Sequence, residues 1–169
     1  MKTPHVLDRR TIDLCDPTIP ESRQPYHARM GTLETDEEKL ERRRRIVFHA
    51  ASQSIKTLLR DYTTSGKHVC AVGLVVGSVI DPATVANPHI RAHALEGRLF
   101  RNALEEALGS KGLSCVVIVE RNAYAHASAV LKRTEADLKR TVAKLGRSIG
   151  GPWRADEKTA CLAAWLALV

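Results

Sequence analysis

The sequence predicts an α/β sandwich, and three observations carry that reading. Residues 69–80, VCAVGLVVGSVI, and 115–120, CVVIVE, are apolar, β-rich runs of strand length. Apolar side chains on both alternating faces point to central strands covered on both sides. Between them lies an amphipathic stretch of helical length, so the order strand, helix, strand implies a right-handed β-α-β crossover. The expected architecture is a single-domain α/β sandwich over residues 35–169 with a reduced sheet and an N-terminal helical extension, preceded by an extended arm over residues 1–34.

Four of the seven prolines fall in 1–34, where periodicity is weak, and a short strand is expected around Val6–Leu14. Thr35-Asp-Glu-Glu38 has the form of a capping box, the Thr hydroxyl accepting an orphan amide while Glu38 reaches back. The helix it opens runs to about Tyr62, with Val47, Ala51, Ile55, Leu58 and Tyr62 on one stripe and Gly66 as its stop. Within the apolar run 69–80, Gly73 and Gly77 mark a bend or a close backbone approach. Asn87-Pro88 pairs an N-cap residue with the imide best tolerated at the first helical position, which predicts a helix to about Leu108. After the second strand come a helix over about 122–132 and another opened by Thr134 with Asp137 and ended by Gly146. Residues 146–155, GRSIGGPWRA, read as a glycine-rich loop with Trp153 exposed, and 156–169 as a last, buried helix.

The chain of 169 residues is 44% hydrophobic and 27% charged, which excludes intrinsic disorder, and no apolar run is long enough to span a membrane. The start MKTPHVLDRR lacks the apolar core of a signal peptide, so a cytoplasmic location is expected. Cys15, Cys70, Cys115 and Cys161 are widely spaced, unlike zinc-finger or thioredoxin patterns, and read as reduced, buried thiols. A net charge of +7 favours anionic partners, nucleic acid first, although it also lies within the range that simply keeps a domain soluble. With only 4% aromatic residues, stacking platforms for single-stranded bases are not expected.

Three acids are candidates for chemistry. On a helical wheel with Leu99 at zero, Ala92 lies at about +20°, Leu95 at about −40° and Ala103 at about +40°, and Glu96 falls at about +60°, within that apolar arc. A carboxylate there must be paired, protonated or bound to a cation. Glu120 ends a strand, where open α/β sheets place ligands, unless it is a solvated acid paired with Arg121 or Arg154. Asp156 opens the last helix, where its simplest role is N-cap. If these acids converge, they would hold one or two divalent cations that clamp the oxygens of a phosphodiester. Arg147, Trp153 and Arg154 are then placed to meet a nucleic-acid backbone. Glu38/Arg42 and Glu41/Arg45 make the run 41–45 a solvated helix face rather than a phosphate patch. His89 and His93 lie one turn apart and could bind a metal, but neither a third ligand nor an HExxH frame accompanies them. Phosphate loops of the GxxxxGK[ST] or GxGxxG type and a GxSxG nucleophile motif are absent.

From about Val69 to Val169 the chain resembles the ribonuclease H-like superfamily, which includes RuvC-type resolvases. Glu120 in CVVIVE matches that family's fourth-strand acid. Asp156 in DEKTACLAAWLAL resembles its last-helix acid, and Glu96 in NPHIRAHALEGRLF its first-helix acid. The first-strand aspartate has no counterpart within a strand; Asp81 in GSVIDP follows one. The resemblance implies a magnesium-dependent nuclease acting on nucleic acid, with Glu96, Glu120 and Asp156 catalytic and Mg²⁺ held by these and Asp81. The alternatives are a non-catalytic nucleic-acid-binding or scaffold module of the same fold, and a small-molecule enzyme using the strand ends. A homodimer is compatible with either.

Overall fold

A computed structural model describes residues 4–28 and 32–169 of the chain. Its helices are α1 (Glu37–Thr64), α2 (Pro88–Gly109), α3 (Ala123–Leu131), α4 (Glu135–Leu145) and α5 (Ala155–Leu166). Its strands are β1 (Val72–Val76) and β2 (Cys115–Val119), paired in parallel with Val72 opposite Cys115 and Val76 opposite Val119. At 58% helix and 7% strand, the described residues are mostly helical, and the α/β sandwich expected from sequence is overturned. Among the described residues none around Val6–Leu14 is in a strand. The run 69–80 contributes only five residues to a strand, and Val79 and Ile80 are exposed beyond Gly77.

The chain divides into two compact units. The first comprises residues 4–11, 70–77 and 114–169, and holds β1, β2, α3, α4 and α5. Its core gathers Ile118, Ala127, Leu131, Leu138, Val142, Leu162 and Trp165. Thr134 caps α4 as expected, its hydroxyl accepting from the Asp137 N–H at 3.2 Å. Gly73 is where β1 meets α5: a Cβ there would collide with the carbonyl of Ala163. The glycine therefore marks a close backbone approach rather than a bend.

The second unit comprises 12–28, 32–69 and 78–113 and holds α1 and α2. Its core is built from Tyr26, Leu40, Val47, Ala51, Ala92, Leu99 and Ala103. The stripe on α2 is narrow and rich in alanine, which lets α1 approach closely; such a stripe suits helix-on-helix packing. This is the physical reason the crossover helix did not build a sandwich layer: its apolar face is satisfied by Val47 and Ala51 of α1. At the start of α1 the cap is Asp36 rather than Thr35, its carboxylate accepting from Lys39 N–H at 3.1 Å. Glu34 instead accepts from the N–H groups of Thr35 and Asp36.

The four cysteines are free; Cys70 is exposed and Cys15, Cys115 and Cys161 are half-buried, so none is fully buried as expected from sequence. Cys161, packed against the core of the first unit, has its thiol pushed up to about 11 by burial. A thiol of that acidity is thiolate in only about one part in a thousand at pH 8, and the thiolate is the nucleophile. Cys161 should therefore react with Ellman's reagent at least tenfold more slowly than Cys70 at pH 8, accelerate as pH rises toward 11, and match Cys70 once the chain is unfolded in urea. Equal rates in the native protein at pH 8 would contradict the burial of Cys161. Among the described residues no helix is long and apolar enough to cross a membrane.

Candidate metal centre

Four side chains of the second unit meet at one end of α2. Asn87 caps this helix, its Oδ1 accepting from Ile90 N–H at 3.1 Å, with Pro88 at the first turn. That start sets the helical phase, so His89 and His93 stand one above the other and Glu96 follows a turn later. Ala92 and Leu99 on the same helix are buried, and so is Glu96, with 6% of its surface exposed. The position inside the apolar arc thus holds a buried acid, which must have partners.

The partners come from a segment 70 residues upstream. Tyr26 is anchored in the core, and His27 follows it. Backbone bonds Glu34 N–H to Tyr26 O (2.9 Å) and Ala28 N–H to Thr32 O (2.8 Å) turn the chain around this point. Arg43 of α1 clamps it, donating to the carbonyls of Pro25 at 2.9 Å and His27 at 3.3 Å while pairing with Glu34 at 3.3 Å.

Glu96 Oε1 accepts from Tyr26 N–H at 3.3 Å and lies 2.7 Å from His27 Nδ1. Glu96 Oε2 lies 3.3 Å from His93 Nδ1. When Nδ1 donates to this carboxylate, Nε2 is the His27 nitrogen left to face a ligand. That Nε2 is 3.2 Å from His89 Nδ1. The three rings lie with centroids 4.5 to 5.1 Å apart. Each offers one nitrogen, and the three nitrogens lie within 4.8 Å of one another. Among the described residues this is the one group of three or more His, Cys, Asp or Glu side chains able to share a metal ion.

One edge of the cluster has the spacing of a coordination sphere. Zinc–nitrogen bonds of about 2.0–2.1 Å at tetrahedral angles place two ligand nitrogens about 3.3 Å apart. The His27–His89 edge already has this length. His93, with its side chain 51% exposed, has the rotamer freedom to close the remaining gap. A carboxylate holding the far nitrogen of a ligand imidazole is the usual outer support of such sites, setting the tautomer and raising ligand basicity. Imidazole donors suit zinc, copper or nickel; magnesium prefers oxygen, and this donor set does not point to it.

Comparison with protein-family models, curated proteins and solved structures returns no match.

The acids singled out from sequence lie on different units. Glu96 and Asp81 belong to the second, Glu120 and Asp156 to the first, and in neither unit do they form a convergent ligand group. Asp81 caps a short turn, accepting from Ala83 N–H at 3.1 Å, with Arg98 3.9 Å away. Glu120 is exposed and opens a one-turn 3-10 helix before α3. Asp156 is exposed in the first turn of α5, but the acid that meets the helix start is Glu157, accepting from Arg154 N–H at 2.8 Å. That bond holds the Glu157 carboxyl below its ordinary range.

Of the residues expected to meet nucleic acid, Arg147 and Arg154 are exposed. Trp153 is not: its indole N–H donates to Val142 O at 3.0 Å and its ring packs on the core and over Gly146. A glycine-rich stretch by itself predicts no partner for Trp153; Gly146, lacking a Cβ, is what admits the ring. His27 was missed altogether, since nothing in its local sequence marks a ligand.

Proposed function

We propose that the protein binds a zinc-class divalent ion through His27, His89 and His93 and uses it to hydrolyse an anionic substrate, a phosphodiester of nucleic acid foremost. The convergence of three imidazoles backed by the buried Glu96 carries the reading. Three protein ligands leave a fourth corner for water, the arrangement of catalytic rather than structural zinc. His89 and His93 are exposed, so that corner is open to substrate. The ion would make bound water more acidic and polarise the phosphoryl oxygen. The net charge of +7 supports an anionic substrate, since a positive field raises its local concentration.

One observation favours a second reading, a metal-bearing nucleic-acid-binding module without catalysis. Both oxygens of Glu96 are engaged, by Tyr26 and His27 on one side and His93 on the other. That leaves no carboxylate oxygen of the set to take a proton from water.

Calorimetry with zinc and hydrolysis of bis(4-nitrophenyl) phosphate separate these. One ion per chain is expected, with His27→Ala and His89→Ala each weakening binding about 100-fold, and hydrolysis that requires zinc and is lost in His27→Ala. Cobalt(II) in place of zinc should show the d–d bands of tetrahedral nitrogen coordination without a thiolate charge-transfer band. Binding without hydrolysis of this ester or of DNA and RNA selects the second reading, and no uptake of zinc or cobalt rejects both.

A further inference from the structure

The three ligands come from two places in the chain. His89 and His93 stand on the first two turns of α2, whereas His27 sits in the segment ahead of α1, 62 residues from His89. We propose that the ion is a clasp: its occupancy sets how firmly residues 24–28 are held on α2. This rests on the metal reading above and adds a regulatory consequence to it.

Two features carry the inference. Without an ion, the segment rests on α2 through the Tyr26 and His27 bonds to Glu96 and the His27–His89 contact, with Tyr26 in the core cluster that includes Ala92 and Leu99. These include the Tyr26 amide itself, which donates to Glu96 Oε1. An ion shared by His27, His89 and His93 adds three bonds across the same junction, two of them to α2. Any ion that binds only the docked arrangement stabilises it by mass action. The linkage is local: the Arg43 clamp on Pro25 and His27 keeps the segment near α1 whether or not an ion is bound. Opening is thus confined to the α2 side, where the ligands are. Removal of the ion would loosen His27 on Glu96 and α2, while Tyr26 stays in the core, so the change is confined to the site.

Amide hydrogen exchange on the full chain tests this. With saturating zinc, the amides of Tyr26, His27 and Ala28 should exchange at least tenfold more slowly than with the metal removed by chelation, while Lys158 and Thr159 of α5 stay unchanged. In His89→Ala, which removes one of the three ligands, the zinc-dependent slowing should shrink to under threefold when the variant is compared with its own metal-free rates. Zinc uptake by calorimetry with no local slowing, or with equal slowing in α5, overturns the clasp while leaving the metal site standing. Absence of uptake overturns the metal reading and the clasp with it.

Discussion

Glu96→Ala is expected to destabilise the second unit by about 2–4 kcal/mol, because it leaves the Tyr26 amide and His27 Nδ1–H without their acceptor in a buried place. The same substitution should weaken zinc binding about 10- to 100-fold, the usual cost of removing the group that orients a ligand imidazole. Glu96→Gln separates the two effects. Its amide oxygen can still accept from Tyr26 and His27, so stability should fall by less than about 1.5 kcal/mol. The charge that raises imidazole basicity is gone, however, so zinc affinity should still drop by about tenfold. Urea unfolding and zinc calorimetry on both variants check this. If Glu96→Gln binds zinc as wild type does, the carboxylate is a structural acceptor and no support to a metal ligand.

Gly73→Val should be the most damaging single change in the first unit. The added Cβ meets the carbonyl of Ala163, a backbone atom on a helix that cannot swing aside as a side chain would. Relief requires β1 and α5 to separate, and overpacking of this kind costs about 3 kcal/mol, toward the upper end of what such insertions cost. Gly77→Ala is the matched control: nothing lies within 4 Å of its Cβ position, so its effect should stay within about 0.5 kcal/mol. Circular dichroism under urea distinguishes the pair. A Gly73→Val protein as stable as wild type would mean that α5 does not rest on β1 through this glycine.

Helix boundaries were the most legible part of this chain. Asn87-Pro88 and Thr134 announce α2 and α4 by local chemistry, and each cap is present with its hydrogen bond. Strands were over-read because an apolar run does not say what covers it. Residues 69–80 are apolar enough for a central strand, yet β1 is five residues long and half-buried throughout. Its neighbours Val79 and Ile80 are exposed. The helix expected to cover the sheet carries alanines at 92 and 103, and those small side chains pack with α1.

The same division runs through the site. With the start of α2 set by Asn87, the sequence alone placed His89 and His93 on one face and Glu96 in the buried arc, because a helix repeats every 3.6 residues. It also showed that a carboxylate in that arc needs partners. Which partners was decided by tertiary structure: Tyr26 and His27 reach Glu96 only because Arg43 and the Glu34–Tyr26 bond fold the segment ahead of α1 back on itself. Local periodicity is written into neighbouring residues and can be read from them, whereas a contact between residues 27 and 96 depends on how α1 and the chain before it pack, and no short-range pattern encodes that.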